Sequence, residues 1–204
     1  MSRGATNFRR KNRKRDLKPY ISIELKDAIY RLSFLTYTPV KDIAEQLILN
    51  SIQNKVILDS LSRHFKREIY LNNTWYGGHL IDGPISKRTE GECERITTRL
   101  REDDYEDVRK LAYALDCSTA RSGSLLIEAS MKDMHFINSL IKEFMAQQLS
   151  DREMKELRDL MKFLNKQDSE HHSWAVILSQ IADEVSVPLS RLREAVAEFI
   201  KRKS

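Results

Sequence analysis

The chain has 204 residues, a formal net charge of +5 and 41% hydrophobic residues. No run of about twenty apolar residues occurs, which argues against a transmembrane helix, and the basic N-terminus lacks the apolar core of a signal peptide. The two cysteines, Cys93 and Cys117, indicate free thiols in a reducing compartment, and no Cys/His spacing resembles a zinc site. We therefore expect a mainly helical cytoplasmic protein that needs no metal or other cofactor.

Basic residues are concentrated at the N-terminus. Residues 1–18 contain eight Lys or Arg residues and a single acidic one. A block of like charge with almost no apolar residues predicts a disordered arm. Such an arm either lies along the phosphates of a nucleic acid or serves as a solubilising tail. Its candidate phosphate contacts are Arg9, Arg10, Lys11, Arg13, Lys14 and Arg15.

Two similar patterns follow this arm. Residues 20–25 alternate apolar and polar types, which predicts a strand, and residues 26–37 have apolar residues at helical spacing. Thr38 and Pro39 resemble an N-cap followed by a proline at the first helical position. The helix that follows carries a continuous apolar face, and residues 56–65 extend it or form a further helix.

The second pattern begins after an irregular stretch, residues 67–92, which is rich in turn signals. Residues 95–100 alternate in the same way as residues 20–25, with Ile96 lying 75 positions after Ile21. Two helical segments are predicted next, residues 103–116 and residues 119–134, the second continuing to about residue 144. A single strand leaves its backbone groups unpaired, so each predicted strand needs a partner strand. The two can pair with each other within one chain or with strands of a second chain, and the sequence leaves both arrangements open.

The C-terminal region is predicted to be helical. Ser150 and Glu153 have the spacing of a capping box, and further helices follow a polar break. Residues 180–192 are similar to a helix-turn-helix unit, although Ser186 replaces the usual turn glycine. The alternative is a small helical packing or oligomerisation element. The adjacent His171 and His172 indicate a solvated loop.

Together, the motifs YISIEL–KDAIYRLSFLTY–TPVKDIAEQLILNSI and RITTRL–REDDYEDVRKLAYALD–CSTARSGSLLIEASM resemble the ribbon-helix-helix family (the Arc and MetJ type) of bacterial and phage DNA-binding proteins. The resemblance implies a mainly α fold with short β-ribbons, formed by two tandem ribbon-helix-helix units and a C-terminal helical region. The predicted segments are a basic arm (1–18), a first unit (19–66), a linker (67–92), a second unit (93–148) and the C-terminal region (149–204).

The resemblance also implies which residues contact DNA. In this family the paired strands lie in the major groove, and their outward residues contact base edges. These positions are Arg95, Thr97 and Arg99 in the second copy and Tyr20, Ser22 and Glu24 in the first. Glu24 departs from the pattern, because phosphates repel a carboxylate that does not accept from a cytosine amino group. If each strand is instead an ordinary surface hairpin, the same residues are merely solvated.

A second set of contacts is implied at the start of the second helix of each copy, where free N–H groups hold a phosphate. The corresponding residues are Thr38, Val40, Lys41, Ser118, Thr119, Arg121 and Ser122. Pro39 has no N–H to donate. Ordinary helix capping uses the same residue types, so the sequence alone leaves that alternative open.

The function most consistent with these features is sequence-specific binding of double-stranded DNA by a bacterial or phage transcriptional regulator, acting as a repressor at the nucleoid. One alternative is a plasmid or mobile-element accessory protein for partition, replication control or relaxosome assembly. Another is a helical adaptor with a non-specific basic arm. An enzyme is not expected, because no phosphate loop, metal-ligand cluster or activated nucleophile is found. Expected partners are DNA, a second copy or the chain's own second unit, and a protein bound by the C-terminal helices, but no membrane.

Overall fold

The structure is a computed structural model that describes residues 14–167, 173–184 and 191–203. The strands and helices follow in the order β1 (Lys14–Leu17), β2 (Tyr20–Ser22), α1 (Ile23–Thr36), α2 (Val40–Gln53), α3 (Lys55–Ser62), β3 (Ile69–Leu71), β4 (Thr74–Tyr76), β5 (Cys93–Arg95), β6 (Thr98–Arg101), α4 (Glu102–Leu115), α5 (Thr119–Lys132), α6 (Met134–Gln148), α7 (Asp151–Gln167), α8 (Trp174–Glu184) and α9 (Leu192–Lys203). The prediction of a mainly helical chain with short antiparallel strand pairs is confirmed. None of the helices in the described part of the chain combines the length and the hydropathy that a bilayer crossing requires.

Four of the strands form a single antiparallel ribbon. β1 pairs with β6 and β2 pairs with β5, and one register runs through both pairs, from Lys14 opposite Arg101 to Ser22 opposite Cys93. The ladder is interrupted around Pro19, which has no N–H to contribute, but the Ile96 N–H donates to the Pro19 carbonyl at 3.0 Å. We call residues 14–22 and 93–101 the ribbon.

The ribbon strands begin two repeats of the same length. In each repeat a strand segment leads directly into a helix of 14 residues, a turn of three residues and a second helix of 14 residues. The first helix of one repeat starts at residue 23 and that of the other at residue 102, 79 positions later. The predicted offset of 75, which matched Ile21 with Ile96, is therefore wrong by four residues.

This shift has a local cause at the end of the first strand. The predicted strand 20–25 ends at Ser22, because the Ser22 hydroxyl accepts a hydrogen bond from the Leu25 N–H at 3.3 Å and α1 begins at Ile23. At the other end, Lys14 to Leu17, predicted to be disordered, form β1. Leu17 is buried on the inner side of the ribbon, so the basic segment has an apolar anchor.

The ribbon packs on α2 and α5. These two helices also pack on each other, and Leu47 and Ile48 of α2 and their counterparts 79 positions later, Leu126 and Ile127 of α5, are fully buried. The Ser51 hydroxyl of α2 donates to the Leu126 carbonyl at 2.7 Å. The second helices of the two repeats therefore form the core beneath the ribbon.

The segment predicted as a linker is folded onto this core. Residues 69–76 form a hairpin, β3–β4, whose turn residues Asn72 and Asn73 have positive φ angles, as a tight hairpin turn requires. Lys66 and Arg67 pair with Asp116 at the end of α4, at 2.9 and 3.0 Å. Hydrogen bonds from these cations hold the pKa of Asp116 well below its usual range.

The chain divides into two compact units, residues 1–31 with 39–132 and residues 32–38 with 133–204. The ribbon, α2, α4, α5 and the predicted linker thus share one unit, whereas residues 32–38, the end of α1 and part of the turn after it, are assigned to the other. The predicted boundary at residue 149 also differs. The helix expected to continue to about residue 144 is broken at Asp133, which caps α6 by accepting from the Phe136 N–H at 3.1 Å.

The second unit contains α6 to α9 and residues 32–38 at the end of α1. The predicted capping box is confirmed, because the Glu153 carboxylate accepts from the Ser150 N–H at 2.7 Å and the Ser150 hydroxyl accepts from the Glu153 N–H at 3.4 Å. The predicted turn at Ser186 and the loop with His171 and His172 lie outside the described residues.

Candidate nucleic-acid interface

The ribbon has one buried face and one exposed face. The inner residues alternate along both strands and are buried: Leu17, Pro19, Ile21, Ile96, Thr98 and Leu100. The central residues that alternate with them on the opposite face are all exposed: Asp16, Lys18, Tyr20, Arg95, Thr97 and Arg99; the end pair, Lys14 and Arg101, is exposed as well. We call this central set the outer face. It carries three cations and one carboxylate on a strand pair whose other side belongs to the core.

The three predicted base-contacting residues of the second strand lie together on this outer face. Arg95, Thr97 and Arg99 are each exposed, and they alternate with the buried Ile96 and Thr98. The structure thus brings them to one surface, while their contact with bases remains a prediction.

The first strand contributes a different set from the predicted one. Tyr20 lies on the outer face opposite Arg95, but Ser22 caps α1 and is half-buried. Glu24 lies in the first turn of α1 and not in the ribbon. The prediction of a strand up to residue 25 therefore placed Glu24 on the wrong element, whereas Ser22 is the last residue of β2.

Two outer-face residues, Asp16 and Lys18, were missed because they fall in the segment predicted to be a disordered arm. The alternation of Leu17, Pro19 and Ile21 was the available signal. The surrounding positive charge and the proline obscured it.

Cross-strand contacts organise the two ends of the outer face. At one end, Arg99 Nε donates to the Asp16 carboxylate at 2.8 Å. At the other end, the guanidinium carbon of Arg95 lies 4.7 Å from the centre of the Tyr20 ring, and Arg95 also donates to the Tyr20 hydroxyl. Lys18 and Thr97 face each other between these pairs, as the register on either side requires.

Of the six phosphate contacts predicted for the basic arm, two lie in the described part of the chain. Lys14 pairs with Glu45 of α2 at 2.8 Å, and Arg15 pairs with Glu102 of α4 at 2.7 Å. Both cations are therefore ion-paired within the fold rather than part of a separate arm. The other four candidate contacts, Arg9, Arg10, Lys11 and Arg13, lie outside the described residues.

At the start of α2 the predicted cap is displaced by one residue. Pro39 occupies the N-cap position and the helix begins at Val40, while the Thr38 hydroxyl donates to the Thr36 carbonyl at 3.2 Å. Helical geometry leaves the first N–H groups, those of Val40 and Lys41, without a carbonyl in the preceding turn. The Lys41 side chain is exposed beside them.

At the start of α5, part of the predicted phosphate site is occupied by the fold itself. Ser118 caps the helix by accepting from the Arg121 N–H at 3.1 Å, and the buried Ser122 hydroxyl donates to the Val108 carbonyl at 3.2 Å. The Arg121 side chain is only 11% exposed and pairs with Glu128 at 3.0 Å. Thr119 is half-buried in the first turn. Capping and packing therefore account for Ser118, Arg121 and Ser122.

A cavity of about 330 Å³ lies beside the α5 start and the Tyr20 end of the ribbon. Its lining includes the exposed cations Lys87 and Arg88.

Two titratable groups of this part of the chain have shifted pKa values. A hydrogen bond from Lys26 to Glu94 raises the pKa of Lys26, so Glu94 of β5 already has a cationic partner. Burial raises the pKa of the Cys117 thiol to about 11. Among the described residues, no group of three or more His, Cys, Asp or Glu side chains is placed to hold a metal ion.

Comparison of the chain with protein-family models, with curated proteins and with solved structures finds no match.

Proposed function

We propose that this chain binds double-stranded DNA sequence-specifically, with the outer face of the ribbon in the major groove and the two repeats acting as an intrachain ribbon-helix-helix pair. The observation that carries the proposal is the ribbon itself, which is buried on one face by α2 and α5 and whose outer face carries the three cations Lys18, Arg95 and Arg99. A major groove about 12 Å wide admits a two-stranded β-ribbon.

Available positive charge on and near the ribbon supports an anionic partner. Neither Lys18 nor Lys41 forms a salt bridge with any described residue, so their charges are not neutralised within the fold. Lys41 is the second residue of α2, so its charge lies beside the first N–H groups of the helix, and helix starts of this kind bind phosphates. Contacts to phosphate from α2 position the ribbon, and contacts to base edges from the outer face supply specificity.

The N-terminal residues add a contribution that does not depend on DNA sequence. Residues 1–13 contain five basic residues and no acidic one, and they lead directly into β1. Cations of such a segment contact phosphates and release counterions, which makes binding salt-dependent. We propose that in a bacterial cell the chain occupies its site at the nucleoid and represses transcription from it.

The test starts from a pool of random duplexes, from which repeated rounds of binding and amplification with the full chain select a site. Binding is then measured by fluorescence anisotropy on the selected duplex and on a duplex of scrambled sequence. Arg99→Ala is expected to weaken binding to the selected duplex about 5- to 150-fold, the range for one bidentate arginine–guanine contact. Binding to the scrambled duplex should change far less.

The matched control is Arg109→Ala, which removes an exposed arginine from α4, outside the ribbon. It should leave the difference between the two duplexes unchanged. Methylation of guanine N7, in the major groove, should interfere with binding. Failure of the pool to yield any enriched sequence, or an equal loss on both duplexes for Arg99→Ala, contradicts specific contact by the ribbon.

A further inference from the structure

The two strands contribute different residue types to the outer face, although the strands occupy equivalent positions in the two repeats. Positions related by the 79-residue repeat are Asp16 and Arg95, and Tyr20 and Arg99. Thus each end of the outer face has one arginine, and both arginines come from the second strand. Their cross-strand partners, an acidic residue and an aromatic one, both come from the first strand.

Asp16 is placed to orient Arg99. Its carboxylate receives the Nε hydrogen bond at 2.8 Å, a charge-assisted contact with fixed geometry. Because Nε is the nitrogen used, the two terminal nitrogens of Arg99 remain for a second acceptor, and no described residue accepts from them. Guanine O6 and N7 are the acceptor pair that an arginine fork matches. A carboxylate on a surface that faces phosphates is otherwise unfavourable, and this contact explains its position.

Tyr20 is placed to hold Arg95. The flat guanidinium stacks on the tyrosine ring, an arrangement that arginine favours. The backbone of Tyr20 is held by two hydrogen bonds. Its carbonyl accepts from the Ser124 hydroxyl of α5 at 2.7 Å and from the Thr89 hydroxyl at 2.9 Å. The support of Arg95 therefore extends from the outer face into the core helices.

The two arginines have a defined separation. Arg95 and Arg99 are four positions apart on one side of the same strand, which corresponds to about 13 Å at ~3.3 Å per residue. Successive base pairs are about 3.4 Å apart along one DNA strand. The spacing therefore matches two guanines separated by about four base pairs.

We propose that the two strands of the ribbon have separate roles at the DNA: Arg95 and Arg99 of the second strand each contact a guanine, while Asp16 and Tyr20 of the first strand are positioning residues. This inference rests on the proposed function. It specifies a DNA site without two-fold symmetry, because site symmetry follows protein symmetry and the two ends of the outer face differ.

The experiment applies the selection from random duplexes to the full chain and to four variants, Arg95→Ala, Arg99→Ala, Asp16→Asn and Tyr20→Leu. The unmodified chain should select a non-palindromic motif with two guanines about four base pairs apart. Arg99→Ala should lose the preference at one guanine, and Arg95→Ala at the other. Asp16→Asn should weaken the preference at the Arg99 guanine alone, and Tyr20→Leu at the Arg95 guanine alone.

The preference is quantified as the ratio of affinities for the selected duplex and for a duplex with adenine at one guanine position. The unmodified chain should give a ratio of about 5 to 150, Arg99→Ala a ratio near one, and Asp16→Asn a value between them. Asp59→Asn, the same chemical change at an exposed site on α3, is the matched control and should keep the full ratio. Thermal unfolding midpoints of Asp16→Asn and Tyr20→Leu near that of the unmodified chain exclude a merely structural effect.

The outcomes separate the two proposals. If the unmodified chain enriches no sequence, the proposed function fails and the division of roles fails with it. If it enriches a palindromic motif, or a motif that neither arginine variant alters, DNA binding stands and the division of roles is overturned. If Asp16→Asn and Tyr20→Leu keep the full ratios, the arginines contact the bases without the first strand's help, and the positioning roles are overturned.

Discussion

Thr97 and Thr98 are adjacent residues of the same type that the ribbon places on opposite faces. Thr97 is exposed on the outer face, whereas Thr98 is fully buried. The Thr98 hydroxyl donates to the Lys41 carbonyl of α2 at 2.7 Å. At the scale of single residues, this hydrogen bond connects a strand of the second repeat to a helix of the first.

Replacing Thr98 with Val should therefore lower the free energy of unfolding by about 1–2 kcal/mol, because the isosteric side chain loses a buried hydrogen bond and keeps the strand-favouring shape. Urea unfolding followed by circular dichroism measures the change. Thr97→Val is the matched control and should change stability by no more than about 0.5 kcal/mol. Equal effects of the two substitutions would show that the hydroxyl of Thr98 contributes nothing specific.

At the scale of elements, β1 is the strand that determines where the N-terminus can be truncated. Deleting residues 1–13 removes five cations and leaves the ribbon complete. This truncation should keep the thermal unfolding midpoint and weaken binding to all duplexes alike. The slope of log affinity against log salt concentration should become shallower by about 0.9 for each phosphate that the shortened chain no longer neutralises.

Deleting residues 1–18 should instead destabilise the fold, because it also removes β1 and leaves Thr98 to Arg101 without their strand partner. Loss of the buried Leu17 side chain alone removes about 1.5–3 kcal/mol of burial. Thermal unfolding by circular dichroism compares the two truncations. An unchanged midpoint for the longer deletion would contradict the pairing of β1 with β6.

The strands and helices of the two repeats show which features the sequence alone predicts and which it does not. Apolar spacing predicted the strand–helix–helix order twice and the alternation of Arg95, Thr97 and Arg99, because both patterns are local. Local spacing did not show that the first strand starts at Lys14 and ends at Ser22. Residues 20–25 continue to alternate into the first turn of α1, so period two alone cannot locate the end of the strand.

Partners distant in sequence explain the remaining differences. Arg121 appeared to be an open phosphate contact because it follows a helix start, but its guanidinium is used by Glu128 and by the Ser86 carbonyl. Asp16 looked like a minor acidic residue in a basic arm until Arg99, 83 positions away, was placed opposite it. Pairing across the chain decides the role of both residues, and single-sequence periodicity carries no information about it.

At the scale of the whole molecule, one chain supplies both strands of the ribbon and both helices beneath it. A ribbon with two-fold symmetry needs two identical strands, whereas the two strands here differ in sequence, with Lys18 facing Thr97 at the centre. Since the two repeats are covalently linked, the composition of each half of the ribbon is free to differ without loss of assembly. Under the proposed function, we therefore expect one chain to bind each DNA site without dimerising.

The intrachain pairing can be tested by a disulfide across the centre of the ribbon. Facing residues of antiparallel strands have Cα atoms about 4.5–5.5 Å apart, within the range of about 4.4–6.8 Å that a disulfide spans. Lys18→Cys with Thr97→Cys, in a background with Ser at positions 93 and 117, should oxidise to a cross-linked single chain of 23.9 kDa. Non-reducing electrophoresis and intact mass detect it. The rate should not depend on protein concentration.

Lys18→Cys with Arg101→Cys is the out-of-register control, because Arg101 faces Lys14 and lies four positions from Thr97. This pair should remain reduced under the same oxidising conditions. A product of twice the chain mass from Lys18→Cys with Thr97→Cys, formed faster at higher protein concentration, would instead assign the two strands of each ribbon to different chains. The DNA site would then be expected to contain inverted repeats, so the cross-link also determines which symmetry a selected DNA site should have.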